Sequence, residues 1–389
     1  MAACFCRALR TALAVTGRSA RTGPNPTHAH RSVTRSVVQS AASPEWRQGQ
    51  RRRRDRRQGG AVLWTALTFS LFGRSEEDER DEAQRKEDEM ILLLKKAKLS
   101  IVRDQLSSAS SFLHQALALA QQLHHQEALL YCYNLMANLS YVRGHLDHAE
   151  KLFKASLSVM LSRGTPENDN GVIETSLKLA SIYSQQNKLD LAEHGFMFCV
   201  EKLEEKLEKL KEESSDESKE EQQRLLLDTR LLLGLVLDSR ARFWTQTSDL
   251  VRAEQDYRRS LKICSQEQGP AHPQTLVLLS DLASLLDLQG NLPEALLLVQ
   301  SAVDLGRTHH HPELHVLLCN LASILLHSGD LEAAARVYHE ALTLAKSRED
   351  QETVEHIQEG LQELKSRRKE RREEEKREEE KREESANEE

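Results

Sequence analysis

The chain has 389 residues, of which 30% are charged and only 4% are aromatic, and its formal net charge is −7. Leu, Ala, Glu, Arg and Gln are abundant, whereas the β-branched and aromatic runs that strands prefer are rare. This composition excludes a strand-based fold and predicts an all-α chain. The four cysteines beyond the N-terminal segment have no CxxC or paired spacing, which excludes a disulfide or zinc framework and predicts small buried residues.

The first 57 residues form a distinct basic segment. They contain thirteen Arg, no Lys and only two acidic residues, whereas residues 58–389 sum to a charge of −18. An N-terminus that is rich in Arg and Ser and poor in acids is typical of a mitochondrial transit peptide. We therefore predict a transit peptide over residues 1–57. The alternative is a basic tail that binds nucleic acid through the arginines at 51–54, but these lack interleaved aromatic residues.

An uncharged, apolar segment follows at residues 59–73. It is shorter than the roughly 20 residues that comfortably span a bilayer, but arginines precede it and an acidic stretch follows. The positive-inside rule would then put the N-terminus in the matrix and the later residues in the intermembrane space. We predict a transmembrane or membrane-associated segment here, with an apolar surface helix or part of the presequence as the alternative. Residues 74–89 are predicted to form an acidic linker.

A pattern of small and apolar residues recurs along residues 90–365. In its clearest copies a small residue is followed by Gly or Asn seven positions later, by Ala twelve later, and by a large apolar residue sixteen later. Alanine lets two helices approach closely, Gly or Asn tolerates the left-handed conformation that ends a helix, and the large residue fills the space one turn further on. The residues assigned to this packing are Ala97, Ala109, Ala137, Gly144, Ala149, Ala180, Ala192, Ala241, Ala253, Ala283, Gly290, Ala295, Ala322, Gly329 and Ala334.

This pattern resembles that of the tetratricopeptide repeat family and predicts a solenoid of about six helix pairs. The alanines of the second helices are separated by 40, 43, 61, 42 and 39 residues. The longest step contains the charged stretch 201–224, interpreted as a second helix that overruns the solenoid, followed by a solvated loop. An amphipathic helix at 353–364 is predicted to cap the array, and residues 366–389 to form a charged helical or disordered tail.

The first helices of such solenoids line a concave groove that binds other proteins. An Asn side chain there can offer a donor and an acceptor to an extended peptide backbone. The alternative is that several groove positions only cap helices or face water. Reversing the charges of Lys178 and Arg242 is expected to weaken partner binding without unfolding the chain. The predicted partner-binding residues are Asn134, Asn138, Tyr141, Lys178, Arg242, Asp281 and Asn320.

The sequence contains no Gly-rich phosphate loop, nucleophile elbow or HExxH motif. We therefore predict no catalytic residues, no cofactor and no enzyme activity. The candidate metal cluster worth weighing consists of the histidines at 309–311 with His315, since His311 and His315 have the four-residue spacing that metal ligands use on a helix. Pro312 begins that helix and Glu313 is the only acid nearby, so we predict no metal site.

The repeats that begin with His-Pro, at 272–273 and 311–312, resemble those of kinesin light chains. Kinesin light chains need a heptad coiled coil before the repeats, and the stretch 75–89 is too short and polar for one. A cytosolic cargo or chaperone adaptor of this kind remains the alternative hypothesis. Such an adaptor should keep residues 1–57, whereas an imported protein should lose them.

A closer resemblance is to a mitochondrial family of tetratricopeptide repeat proteins, carried by residues 92–101, 176–183 and 269–275. The order of arginine-rich leader, apolar run, acidic stretch and repeats is also similar. This resemblance implies a non-enzymatic inner-membrane protein that binds respiratory complex III and supports its assembly and upkeep. It would do so by helping clear fragments of the processed Rieske iron–sulfur subunit. The Glu/Arg tail is not expected of that family, and the fourth repeat departs from the consensus.

Overall fold

The computed structural model describes residues 82–103, 105–212 and 219–387, and in these ranges every regular element is an α-helix. The all-α class predicted from composition is therefore confirmed. The predicted transit peptide (1–57) and candidate membrane segment (59–73) lie outside the described residues. The helices are α1 Glu82–Val102, α2 Leu106–Gln122, α3 Gln126–Val142, α4 Leu146–Ser162, α5 Asn170–Gln185, α6 Leu189–Glu212, α7 Lys219–Gln246, α8 Leu250–Gln268, α9 Pro273–Leu288, α10 Leu292–Thr308, α11 Leu314–His327, α12 Leu331–Ser347 and α13 Gln351–Asn387.

The chain divides into two compact units at Gly164, whereas the sequence predicted one array over 90–365. The N-terminal unit contains the helix pairs α1/α2 and α3/α4. Its core includes Met90, Leu93 and Cys132, together with small residues of α2 such as Ala116. The short side chains of α2, such as that of Ala116, allow the helix backbones to lie close together.

The C-terminal unit contains four helix pairs, from α5/α6 to α11/α12, and ends with α13. One continuous apolar cluster runs through all of these helices. Aromatic residues mark its middle, where the rings of Phe196 and Phe243 are 5.5 Å apart and the rings of Phe243 and Trp244 are 4.9 Å apart. Each pair thus buries its apolar face against its neighbours, which is how a repeat array stabilises units that could not fold alone.

The alanines of the repeat pattern are deeply packed, whereas its glycines lie at exposed helix ends. Every one of the twelve alanines assigned to packing has 0% of its surface exposed. Gly290 and Gly329 have φ angles of 79° and 85°, which L-residues with larger side chains rarely adopt. The contact between α5 and α6 is so close that a Cβ atom on Gly195 would lie 2.9 Å from the Cβ of Ala180. Helix approach and helix termination therefore depend on the residues of the repeat pattern.

Three boundaries differ from the sequence-based prediction. Residues 82–89, assigned to an acidic linker, form the start of α1, because acidic residues are favourable in a first helical turn. In the charged stretch 201–224, α6 continues to Glu212, as expected of a second helix that overruns the solenoid, but α7 already begins at Lys219, and the predicted loop lies outside the described residues. The stretch is not wholly solvated, because Leu203 and Leu207 are buried in the core. The predicted capping helix and the charged tail form one continuous helix, α13.

Within the described ranges, no helix is both long enough and apolar enough to cross a membrane.

Candidate functional site

In the N-terminal unit, the predicted groove residues lie on α3. Tyr141 is buried, while Asn134 and Asn138 are half-buried. The Asn134 Oδ1 atom accepts a hydrogen bond from Ser156 Oγ at 2.9 Å, and the Asn138 amide donates to the Asn134 carbonyl at 2.8 Å. Asn134 thus joins α3 to α4, whereas the hydrogen bond of Asn138 lies within α3.

In the C-terminal unit, the predicted groove residues lie on four successive first helices, α5, α7, α9 and α11. Lys178, Asp281 and Asn320 are only 5%, 0% and 2% exposed. Lys178 lies 3.7 Å from the carboxylate of Glu174, one turn earlier on α5. Burial raises the pKa of Glu174, although the charge of Lys178 acts in the opposite direction. These positions are therefore parts of a polar interior and not freely hydrated side chains.

Arg242 lies between two carboxylates. Its Nη2 atom donates to both oxygens of Asp238, at 2.9 and 2.8 Å, and to Asp281 Oδ2 at 3.3 Å. Burial alone would lower the pKa of Arg242, but the two carboxylates outweigh burial and raise it. Burial also raises the pKa of the neighbouring Tyr257 hydroxyl. Because Arg242 neutralises buried charge, we now expect reversal of its charge to unfold this unit, contrary to the sequence-based expectation.

Side-chain hydrogen bonds join each first helix of the C-terminal unit to the next. We call this set of residues the first-helix seam. It connects α5 to α7, α7 to α9 and α9 to α11. The pairs are Asn170–Thr229 at 3.3 Å, Ser184–Gln246 at 3.0 Å, Gln274–Asp238 at 3.5 Å, Arg242–Asp281 at 3.3 Å, Asn320–Ser280 at 2.8 Å and His327–Asp287 at 2.6 Å.

Sequence reasoning identified Arg242, Asp281 and Asn320 but missed Asp238, Asp287 and His327. A signal was present, because Asp238 precedes its repeat alanine by three residues and Asp287 follows its own by four, which are positions on one helix face. The partner of each residue on the neighbouring helix could not be found from spacing alone.

The pair formed by His327 and Asp287 links α9 to α11. Its hydrogen bond raises the pKa of His327, and this outweighs the opposing effect of burial. From α13, Arg367 lowers this pKa and Glu363 raises it. The pKa of His327 in the folded chain is therefore higher than the usual histidine value of ~6.5, and the folded chain protonates it more easily than the unfolded chain does.

A pH titration of stability tests this pair. A raised folded-state pKa contributes stability that is fully present below the unfolded-state pKa and is lost as pH rises through the folded value. We therefore expect the free energy of unfolding to fall as pH rises above ~6.5, and Asp287→Asn to reduce this slope. Urea unfolding at a series of pH values measures both. An unchanged slope in Asp287→Asn would contradict the assignment.

The histidines of the weighed metal cluster have structural roles. His311 is buried, and its Nδ1 accepts a hydrogen bond from the Glu313 backbone N–H at 3.0 Å, while burial lowers its pKa to about 4. His315 bonds to Asp350 across 3.0 Å. Burial raises the pKa of Asp350, but hydrogen bonds from His315 and Thr353 outweigh burial and lower it to about 2. No group of three or more His, Cys, Asp or Glu residues in the described ranges is placed to hold a metal.

The described cysteines are buried thiols. Cys132, Cys199, Cys264 and Cys319 lie in the core and form no disulfide with one another. Burial raises the pKa of Cys132, Cys199 and Cys319 to about 12 in each case, so these three stay protonated near neutral pH. A protonated, enclosed thiol is a poor nucleophile and a poor metal ligand.

The helix pairs, the packed alanines and the first-helix seam define a helical-repeat scaffold of the tetratricopeptide class. Two family models, each described as a tetratricopeptide repeat, match residues 235–308 and 317–352. The apo form of RapI, a solved structure, has a TM-score of 0.54 at 12% identity, covering 75% of this chain and 78% of that one. At this identity the likeness supports the fold alone.

Curated relatives identify the family more closely. The chain is 58% identical over 307 residues to "Tetratricopeptide repeat protein 19, mitochondrial" of Danio rerio, covering 79% of this chain and 75% of the relative. It is 46% identical over 292 residues to the Homo sapiens protein of the same name, covering 75% of each chain. The chain belongs to the tetratricopeptide repeat protein 19 family.

Proposed function

We propose that the chain is a non-enzymatic scaffold of the mitochondrial inner membrane that binds respiratory complex III. There it supports assembly and upkeep of the complex by helping clear fragments of the Rieske subunit. The observation that carries this proposal is the 58% identity to a relative whose name includes "mitochondrial". The thirteen arginines among residues 1–57 support import, because they have the composition of a transit peptide.

The features of the described helices support a binding role. The ionisable and potentially reactive side chains, such as those of Arg242, His315 and the cysteines, are buried in structural contacts. The first-helix seam joins α5, α7, α9 and α11 into one row of successive helices, and stacked repeats of this kind present extended surfaces to their partners. The function therefore lies in holding a partner and not in transforming one.

Fractionation of cells that express the tagged full-length chain tests location and partner together. Mitochondrial membranes are run on a native gel, and the mature N-terminus is sequenced. We expect co-migration with complex III and a mature N-terminus beyond residue 57. The matched control lacks residues 1–57 and should stay in the cytosol.

An intact Met1 on a cytosolic protein would contradict the proposal. It would favour the alternative, a cytosolic adaptor of the kinesin light chain kind, which keeps its N-terminal segment. A mitochondrial chain that migrates apart from complex III would contradict the proposed partner while leaving the location intact.

A further inference from the structure

We propose that the outer face of α1 contacts a membrane surface that carries anionic lipids. This inference deepens the proposed function, on whose inner-membrane location it rests, by naming the part of the repeat scaffold that lies against the bilayer. Three observations support it. They are an exposed apolar stripe on α1, cationic side chains beside the stripe that have no carboxylate partner, and the position of α1 in the chain.

The stripe lies on the side of α1 that faces away from its own repeat. Its members are spaced by three, four and three residues, which places them on one helix face. We call this set the α1 stripe: Leu92, Lys95, Leu99 and Val102. The side chains of Leu92, Leu99 and Val102 are 50%, 47% and 52% exposed, so no helix of the described chain covers them. The buried residues of α1 lie on its opposite side.

Exposed apolar side chains are arranged differently on the other helices. Helix α6 also exposes three of them, Leu189, Leu191 and Met197. At 3.6 residues per turn, however, these three are spread by roughly 80° or more around the helix axis. Single exposed apolar residues are ordinary on a protein surface. An apolar stripe along one face is instead typical of a helix that lies in a membrane interface.

Cationic side chains accompany the stripe. Lys95 lies within it, Lys96 and Arg103 lie on one side of it, and Lys98 lies on the other. All four are exposed, and none forms an ion pair with a carboxylate in the ranges that the structure describes. Long basic side chains beside an apolar stripe can reach lipid phosphates while their stems lie along the apolar surface.

The charge around the stripe is the opposite of that of the chain as a whole. Residues 90–126 contain four basic residues and one acidic residue, whereas residues 58–389 have a net charge of −18. The neighbouring helix α2 contains no charged residue. The acidic residues of α1 all lie between positions 82 and 89. We therefore assign the contact to the C-terminal half of α1, where anionic headgroups are attracted.

The position of α1 in the chain brings the stripe within reach of a bilayer. Only the eight residues 74–81 separate α1 from the apolar segment 59–73. Eight residues span at most about 28 Å. If segment 59–73 is associated with the membrane, as its composition predicts, α1 is held close to the lipid surface.

The size of the stripe favours lipid over a protein partner. A stable protein interface buries roughly 800 Å² on each partner. Three half-exposed side chains on the outside of one helix supply far less than this area, and they form no groove that would hold a peptide. Shallow insertion into a lipid interface needs neither a groove nor a large complementary surface.

The experiment places an environment-sensitive nitrobenzoxadiazole fluorophore on the full chain at Leu99→Cys, in a background of Cys4→Ser and Cys6→Ser. The cysteines of the described helices are buried, so labelling is confined to the introduced residue. Emission is measured with vesicles of phosphatidylcholine and cardiolipin, and with vesicles of phosphatidylcholine alone. The matched control carries the label at Leu297→Cys on α10, a leucine that is 69% exposed.

We expect emission at position 99 to rise about threefold with the anionic vesicles, because the label enters the lipid interface. Emission at position 297 should stay unchanged. Residues 1–57 attract every variant to these vesicles alike, so the label reports its local surroundings and not attachment of the chain. If Leu99→Cys fails to fold by circular dichroism, Leu92→Cys provides a second position on the α1 stripe.

A second comparison tests the cations. In the Leu99→Cys chain, Lys95→Gln with Arg103→Gln should reduce the rise by about half. Lys96 and Lys98 are left unchanged, since their Nζ atoms lie 5.9 and 5.2 Å from the aromatic ring centroids of Phe112 and Tyr131. The control for this comparison removes two exposed lysines of the C-terminal unit, at positions 262 and 346, and should keep the full rise.

Four outcomes would overturn the inference. They are equal emission changes at positions 99 and 297, an equal rise with neutral vesicles, equal reductions by both pairs of charge changes, and a rise without vesicles that depends on protein concentration. The last would assign the stripe to a second copy of the chain. None of them affects co-migration with complex III, which tests the proposed function separately. A chain that inserts position 99 into anionic vesicles but stays in the cytosol would contradict only the proposed function.

Discussion

Replacing Arg242 by methionine is expected to lower the free energy of unfolding by about 3 kcal/mol. The guanidinium bonds to Asp238 and Asp281, whose side chains are 5% and 0% exposed. Methionine fills a similar volume but leaves two buried carboxylates close to each other without the cation that neutralises them. Removal of one partner of a buried charge cluster costs far more than the cluster itself contributes. Urea unfolding followed by circular dichroism measures the loss.

Arg258→Met is the matched control for this prediction. Arg258 lies on α8, is 44% exposed, and pairs with Glu254 and Glu294. Because exposed ion pairs contribute about 1 kcal/mol or less, this variant should unfold at nearly the same urea concentration as the parent chain. Equal losses in Arg242→Met and Arg258→Met would show that burial of the Arg242 cluster has no energetic consequence.

Replacing Gly360 by alanine is expected to destabilise the chain by about 2 kcal/mol. In an open helix this change would stabilise by ~1 kcal/mol, since alanine is the better helix former. Here a Cβ atom would lie 2.5 Å from the hydroxyl and 2.6 Å from Cζ of Tyr338. Tyr338 is 2% exposed and bonds to Ser323 Oγ at 3.0 Å, so it cannot move aside without opening the contact between α12 and α13.

Gly234→Ala provides the control, because it makes the same chemical change inside another helix. A Cβ atom there would meet its nearest neighbour, Ile263 Cγ2, at 3.4 Å, which is an ordinary contact. The variant should be neutral or slightly more stable than the parent chain. Thermal unfolding of both variants decides the matter, and a Gly360→Ala chain that matches Gly234→Ala would contradict the close approach of α13 to Tyr338.

The repeat pattern carries information because each of its positions has a local requirement. Ala180 and Ala283 must be small wherever two helices cross at short distance, and Gly329 must adopt a positive φ where a first helix ends. Such requirements recur at fixed separation, so spacing alone predicts them. The location of the charged stretch 201–224 was also evident, but the burial of Leu203 and Leu207 was hidden among charged neighbours.

The candidate site was only partly predictable for the opposite reason. Arg242 and Asp281 were identified one at a time as groove residues, yet their importance is that Arg242 donates both to Asp281 and to Asp238. Arg242 and Asp281 are separated by a helix pair in sequence, and no local pattern shows that their side chains contact each other. Gly360 was missed because its requirement is set by Tyr338, a residue on the preceding helix.

The sequence by itself determined the all-α class, the repeat, the family and the basic character of the N-terminal segment, because periodicity and composition act over short distances along the chain. Only the tertiary structure decided the division into two units, the continuity of α13 and the charge balance of the first-helix seam. Those features depend on which side chains contact each other across helices. Such contacts are set by packing and burial and not by the spacing of residues along the sequence.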